Sequence, residues 1–420
     1  MIALVDANNF FASCQKAFDP SLTHRPVVVL SNNDGCVIAR SAEAKALGIP
    51  MGIPFFKIEK LVKQHNIAVF SANFELYGDM SRRIFEILKQ FVPDIEIYSI
   101  DEAFVFLSDL KIYEPLHIFL KKIRQTILKW TGIPVSIGAA KNKTLAKLAT
   151  EIIKKHHIPE GVMVLTDQEQ INNYLKTTPV EDIWGIGRRW TSMLYKNFVY
   201  TAWDFVQLSD YFIKKKMNIM ALKTKQELLG LQALDFPQDF QSKKSVRRSR
   251  SFGKLIESFD DLHEAIANFA DACASDLQKN NLIANTIIVY IRTDKYLKNL
   301  PQYYASIPVT LKTPTNSSRI LINAAVDGLR KIYKKGFKYK KAGVIATGLE
   351  QAKNIQINLF DQFDQAKEIK LSSAIQNIRQ KFGKKSLFFA SQTGTGNWKA
   401  RQHFLSPSYT TDWNQLPKVR

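Results

Sequence analysis

Ile97-Tyr98-Ser99-Ile100-Asp101-Glu102-Ala103-Phe104-Val105-Phe106 is an apolar, strand-like run broken by two adjacent carboxylates, and Met1-Ile2-Ala3-Leu4-Val5 is a second such run that ends on Asp6. Carboxylates inside apolar strands are costly unless something compensates them. If the two strands are neighbours, Asp6, Asp101 and Glu102 converge, and three like charges require cations. Hard oxygen ligands with open positions suit Mg²⁺ shared with phosphate groups. Two such ions about 4 Å apart can activate a hydroxyl nucleophile and stabilise a departing pyrophosphate. Strand-end carboxylates also cap turns or pair with lysine, so spacing alone leaves both readings open.

Outward from these runs, the first 165 residues alternate strand and helix patterns. Ile2–Val5, Glu96–Ile100, Ala103–Leu107, Val135–Ala139 and Val162–Leu165 read as strands, and Pro115–Trp130 and Asn142–Lys155 as helices. An inserted piece, Asp19–Asn73, has its own strand at Val27–Leu30 and a Gly/Pro-punctuated stretch from Gly48 to Pro54. Directly after Asp6 come Asn8, Asn9, Phe10 and Phe11. A rigid ring there would exclude a sugar 2′-hydroxyl; core packing is the ordinary alternative. Lys141, Lys143 and Lys147 open a helix from which an ammonium can reach phosphate oxygens. A solvated helix face is the competing reading.

From Asp167 to Phe240 the pattern turns helical, around Trp184-Gly185-Ile186-Gly187-Arg188-Arg189. Glycines between two helices let the backbone approach closely, and amides at the next helix start bind phosphate without reading sequence. A polar, basic stretch, Gln241 to Arg250, then links to a new unit. Residues 243–351 read as βαββαβ: strand Val246–Ile256, a helix capped by Ser258, strands Thr286–Ile291 and Ala305–Leu311, a helix ending at Gly336, and strand Ala342–Ala346. Both helices then cover one sheet face and leave the other for a partner. This segment holds 19 Lys/Arg against 9 Asp/Glu, which puts about half of the chain's excess of +21 into a quarter of its length. Residues 352–420 read as a polar tail carrying the apolar block Ile355 to Phe360, with helix around Ser373–Lys381.

The overall pI near 9.6 points to a polyanionic partner, nucleic acid first. Cys14, Cys36 and Cys273 are far apart and form no CxxC pair, which fits a reducing compartment. The N-terminal apolar run is too short for a signal peptide, and Ile283–Ile291 is too short to span a bilayer. A cytoplasmic, nucleoid-associated protein without membrane contact is expected.

Val5-Asp-Ala-Asn-Asn-Phe-Phe11, Tyr98-Ser-Ile-Asp-Glu-Ala-Phe104 and Gly138-Ala-Ala-Lys-Asn-Lys-Thr-Leu-Ala-Lys147 resemble the three palm motifs of Y-family DNA polymerases. Leu30-Ser-Asn-Asn-Asp-Gly-Cys-Val-Ile-Ala-Arg40, Asp182-Ile-Trp-Gly-Ile-Gly-Arg-Arg189 and Ser406-Pro-Ser-Tyr-Thr-Thr411 resemble its UmuC branch. The resemblance implies an α/β (α+β) right hand. Its parts are a ferredoxin-like palm (1–18 and 74–165), small fingers (19–73), a helical thumb with a helix-hairpin-helix (166–240), a βαββαβ little finger (243–351) and a C-terminal tail (352–420). It implies error-prone translesion DNA synthesis in the SOS response, with nucleotidyl transfer from dNTP to a primer 3′-hydroxyl. Asp6, Asp101, Glu102 and the carbonyl of Ala7 would hold two Mg²⁺ ions. Phe11, backed by Phe10, would be the steric gate. Lys45 and Lys147 would hold the triphosphate, and Cys36 and Ile38 would lie over the nascent base pair. Many family members have Tyr at the gate, where this chain has Phe11. Where the wider family has Arg and Tyr against the triphosphate, this chain has Lys45 and Ala42.

For primer–template DNA the expected contacts are Gly185, Ile186, Gly187 and Arg188 in the thumb and Arg247, Arg248 and Arg250 in the little finger. Gln356-Ile357-Asn358-Leu359-Phe360 is similar to the bacterial sliding-clamp peptide. The UmuC resemblance adds a cleaved UmuD-type dimer and a RecA filament as partners. Two other classes compete. A two-metal nuclease also clusters carboxylates, but has no use for a gate ring and a triphosphate-facing lysine helix. A non-catalytic DNA scaffold gains nothing from three mutually repelling carboxylates.

Overall fold

The computed structural model describes residues 1–108, 110–234, 243–354, 365–383 and 386–417. Two compact units emerge: one of residues 1–31, 35–238 and 404–420, the other of residues 32–34 and 239–403. Among the described residues no helix is long and apolar enough to cross a membrane.

The first unit is organised by β1 (Ile2–Ala7), in which every residue is buried. Such a strand is apolar, Asp6 excepted, because both faces of its sheet are covered. Two strands, β2 (Val27–Leu30) and β3 (Val37–Arg40), pair antiparallel, and β2 also pairs with β4 (Ala68–Ser71) in parallel, making a separate three-stranded sheet. The main sheet contains β5 (Ile95–Ile97), β6 (Glu102–Phe106), β7 (Val135–Ala140) and β8 (Val162–Leu165) in the order β5-β6-β1-β7-β8. Ala3, Val5 and Ala7 face the helices Phe74–Phe91 and Leu116–Thr131, whereas Ile2 and Leu4 share a core with helix Lys143–Lys155. By strand alternation Asp6 lies on the latter face.

The sequence reads Ile97–Phe106 as an apolar run interrupted by carboxylates, with strands Glu96–Ile100 and Ala103–Leu107 on either side. It is a hairpin: β5 ends at Ile97, the amides of Tyr98 and Ser99 both donate to the carbonyl of Glu102 (3.0 and 3.1 Å), and β6 begins at Glu102. Asp101 therefore sits in the turn, half-buried.

Downstream lie helices Gln168–Thr177, Arg188–Tyr195, Ala202–Gln207, Asp210–Lys216 and Ile219–Leu228. Their clamp on the main sheet is polar. Glu227, fully buried, accepts hydrogen bonds from Thr144 N (2.9 Å), Thr144 Oγ1 (2.6 Å) and Leu234 N (3.0 Å). Asn142 caps helix Lys143–Lys155 and donates to the carbonyls of Glu227 (2.8 Å) and Leu231 (2.9 Å). A carboxylate at a helix N-terminus gains from orphan amides and from the helix dipole. Glu227→Ala strands two buried donors and a partly buried one, a loss of about 2–3 kcal/mol. The midpoint of thermal unfolding should fall by roughly 5–10 °C. A shift under about 1 °C in calorimetry would contradict this account.

The second unit has the βαββαβ order: β9 (Ser245–Ile256), helix Phe259–Lys279, β10 (Leu282–Thr293), β11 (Tyr304–Thr315), helix Ser318–Ile332 and β12 (Tyr339–Gln351). The sheet order is β11-β10-β12-β9, all antiparallel. The strands are longer than the apolar runs suggest, because their ends alternate polar and apolar residues. Helix Gln365–Phe382 extends beyond the expected Ser373–Lys381, and its Arg379 pairs with Asp271 of helix Phe259–Lys279 at 2.9 Å. The apolar block 355–360, including Gln356, Ile357, Asn358, Leu359 and Phe360, lies outside the described residues.

Candidate active site

The β1–β6 register sets Asp6 directly opposite Glu102. Asp6 is only 4% exposed. Its Oδ2 accepts from Lys154 Nζ at 2.6 Å, with Lys147 Nζ at 3.7 Å, and Lys147 also pairs closely with Glu102. Burial, and then the hydrogen bond it shares with Glu102, push the Asp6 carboxyl up to about 7 against the pull of Lys154. Burial would raise Glu102 as well, but hydrogen bonds from Asp6 and Lys147 hold it below the ordinary carboxylate range. Lys154 is held above its ordinary value: burial works against its charge, and Asp6 and Glu151 outweigh burial. Two facing acid groups thus draw in two ammonium groups. The site demands positive charge.

Asp101 is placed differently. Its carbonyl accepts from Ala7 N (2.9 Å), tying the turn to the end of β1, and its carboxylate accepts from Ser99 Oγ (2.5 Å). Among the described residues no group of three or more carboxylate, imidazole or thiol side chains is gathered for a metal ion. The structure brings Asp6 and Glu102 together and joins Asp101 to them only through backbone. The donor set nevertheless fits hard cations: two facing acid groups, the adjacent Asp101, and ammonium groups standing where divalent charge would neutralise them.

Helix Phe10–Phe18 starts at Asn9, a left-handed residue (φ 51°), so the chain turns sharply after β1 and sends Phe11 outward. The half-buried Phe11 ring stacks on Tyr77 at 4.4 Å and 15° and meets the edge of Phe74 at 5.9 Å. Phe10 is buried in the core beneath it. Ile38, on β3, packs against the same core, while Cys36 precedes β3 and donates its amide to Ser31 Oγ (3.1 Å). Lys45 lies on the short helix Ala42–Ala46. Burial, then Arg40 and Lys154, depress its pKa, while Glu151 and Asp6 oppose them, which places Lys45 in the same electrostatic neighbourhood.

Sequence reading misses Lys154 and Arg40 as members of this basic set. Lys147, Glu151 and Lys154 recur at helical spacing, so the signal was present in the period. Tyr77 carries no local signal at all, because its role depends on which helix packs beside Phe11.

In the helical segment, Gly185 has φ +89°, which favours glycine, and Ile186 is buried beside Ile183 and Leu194. Gly187 precedes helix Arg188–Tyr195 without a side-chain cap, and Arg188 is exposed. In the second unit the three arginines divide. Arg248 and Arg250 pair in register with the core residues Val344 and Ala342, so they lie on the helix-covered face. Arg248 pairs with Asp276, and the Arg250 guanidinium lies 5.6 Å from the Trp398 ring. Arg247 points the other way, onto the helix-free face, and donates to Tyr290 Oη (2.6 Å). The parity was legible: Val246 and Phe252 are core residues, and a period of two puts residues 248 and 250 with them.

Comparison with known proteins agrees with these observations. The chain matches the impB/mucB/samB family over residues 5–151, the C-terminal domain of that family over 243–359, and a domain of unknown function over 370–419. It is 40% identical to Protein UmuC of Salmonella typhimurium over 422 residues, covering 100% of both chains. It is 34% identical to Protein MucB of Escherichia coli, covering 99% of each, and 29% identical to DNA polymerase IV of Bacillus anthracis, covering 97% of each. Among solved structures, a Y-family DNA polymerase chimera superposes with a TM-score of 0.65 at 23% identity, over 85% of this chain and 100% of the other. The shared feature is the fold.

Proposed function

This chain belongs to the impB/mucB/samB family, the UmuC branch of the Y-family translesion DNA polymerases, and we propose that Asp6, Asp101 and Glu102 are its catalytic residues. The observation that carries the proposal is the facing pair Asp6/Glu102, the first buried and the second partly so, neutralised by Lys147 and Lys154. A charge cluster of that kind is stable in the resting protein only because cations are at hand.

Asp6, Asp101, Glu102 and the carbonyl of Ala7 would hold two Mg²⁺ ions. When bound, such ions make the primer 3′-hydroxyl a better nucleophile and neutralise the triphosphate. The remaining work belongs to side chains. Lys147 and Lys154, released from the carboxylates, are placed to take phosphate oxygens, and Lys45 adds a third charge from the neighbouring helix. Phe11 backs the sugar, with Phe10 fixing it from the core. Cys36 and Ile38 present a small thiol and an aliphatic side chain to the base pair. The small thiol there suits a site that accepts damaged bases.

Residues 1–18 and 74–165 serve as palm, 19–73 as fingers, 166–240 as thumb, 243–351 as little finger and 352–420 as tail. DNA phosphate is taken by the uncapped amides after Gly185-Ile186-Gly187, with Arg188, and by Arg247 on the open sheet face. Arg248 and Arg250, turned toward the helices, hold that sheet in place. The UmuC relationship adds a cleaved UmuD-type dimer and a RecA filament as activating partners, with action at the nucleoid. Gln356 to Phe360 would bind the sliding clamp, Leu359 and Phe360 as apolar anchors.

Primer extension across an abasic template site tests this reading. Deoxynucleotide addition with pyrophosphate release is expected, and hydrolysis of the primer instead would favour a nuclease. In the same assay, alanine at Leu359 and Phe360 should leave single-nucleotide insertion unchanged without clamp. It should abolish stimulation by loaded clamp, because a tether supplies roughly millimolar effective concentration that salt does not screen away. Equal stimulation of variant and parent would make residues 356–360 ordinary tail.

A further inference from the structure

The segment Ser406-Pro-Ser-Tyr409 belongs to the domain of unknown function and has no part in the chemistry above. Its contacts converge on the gate from behind. Phe11 rests on Tyr77 and Phe74, and both of these stand in the first turn of helix Phe74–Phe91. That helix is capped by Asn73, whose Oδ1 accepts from Leu76 N at 3.2 Å. The Nδ2 of the same buried amide donates to Ser406 Oγ (3.2 Å) and to the carbonyl of Pro407 (3.5 Å), 333 and 334 residues away.

Two further contacts fix the segment on either side of this cap. Phe404 exchanges hydrogen bonds with Ser71, at the end of β4: Ser71 N donates to its carbonyl (2.9 Å) and its amide donates to Ser71 Oγ (3.0 Å). Tyr409 lies flat on Phe18, centroids 4.9 Å apart and planes within 4°. Phe18 is the last residue of helix Phe10–Phe18, which carries Phe11 two turns earlier. The segment thus ties together the two helices that form the Phe11–Tyr77 stack: one by its cap, the other by its end.

We propose that Ser406 and Tyr409 are positioning residues for sugar selection, holding the Phe11–Tyr77 stack in register against the 2′ position of the incoming nucleotide without touching it. The proposal rests on the reading of Phe11 as the gate. Steric exclusion is steep in distance, because repulsion rises sharply below contact while a shift away merely opens space. Ser406 is only 4% exposed, so loss of its hydroxyl leaves Asn73 Nδ2 with the long Pro407 contact alone. The cap then gains freedom to turn, and Tyr77 moves with its helix.

The test uses the full chain on a primer–template, under the conditions in which it extends. The readout is the ratio of kcat/KM for a dNTP to that for the matching rNTP. Ser406→Ala with Tyr409→Ala is expected to lower the ratio by roughly tenfold, within the range known for sub-ångström to ångström misplacements. Insertion of the dNTP should stay within about threefold of the parent, by the same reasoning. Ser406→Ala combined with Tyr409→Phe, which retains the stack, should show a smaller change in the same direction and guards against loss of folding in the double alanine variant. Combined with Phe11→Ala, the tail substitutions should have no further effect, since residues acting as one unit are not additive. An unchanged ratio in the tail variants, beside a lowered one in Phe11→Ala, overturns the bracing role and leaves the gate intact. Equal falls in both backgrounds overturn it as well. A Phe11→Ala ratio equal to the parent's removes the gate, and the brace with it.

Discussion

Asp101→Ala is expected to reduce nucleotide addition by roughly 10³-fold or more, since a lost metal ligand removes several kcal/mol of transition-state stabilisation. Primer–template affinity should stay within about twofold, because DNA binding draws on basic residues and backbone amides elsewhere. The position is a clean one to test. Asp101 stands in a turn, half-buried, with its carboxylate on Ser99 Oγ, so its removal leaves no hole in the core. Asp6 is less suitable: it is buried in β1 and neutralises Lys154, and its loss would leave that ammonium with only the longer Glu151 contact (3.5 Å). Single-turnover incorporation and a binding titration at the same salt concentration check both halves. Residual incorporation within tenfold of the parent would remove Asp101 from the catalytic set.

Phe11→Ala is expected to lower the preference for deoxyribonucleotides by about 10- to 200-fold, the range in which a pocket discriminates by size alone. The ring is braced on two sides, by Tyr77 face-on and by Phe74 edge-on, so it cannot yield to an added hydroxyl without disturbing a whole aromatic cluster. Truncation opens the space. Incorporation of rNTPs should rise, while dNTP incorporation falls only through looser sugar packing. Parallel reactions with rNTPs and dNTPs on one template check the ratio. An unchanged preference would make Phe11 a packing residue, and discrimination would then lie with another group.

Much of this was legible beforehand, for reasons that can be named. β1 and β7 are short apolar runs buried on all sides, and such runs need no tertiary information to be recognised. The βαββαβ order followed from alternating periods and a Ser258 cap, which does accept from Asp260 and Asp261 amides. Lys147 was found from its position in a motif, yet its resting partner, Glu102, was not. That partnership exists because the β1–β6 register puts Asp6 and Glu102 side by side under one helix face, and register is a property of paired strands.

The sequence by itself determined the local periods: which runs become strands or helices, where caps fall, and that carboxylates interrupt apolar segments. Tertiary structure alone decided that Asp101 occupies a hairpin turn while Glu102 faces Asp6, since a turn forms where strands find partners. It alone decided that Lys154 reaches Asp6, and that Ser406 and Tyr409 close on Asn73 and Phe18. The physical reason is range. Periodicity is written in neighbours a few residues apart, whereas a hydrogen bond between Asn73 and Ser406 spans 333 residues and leaves no trace in either stretch until the chain has folded.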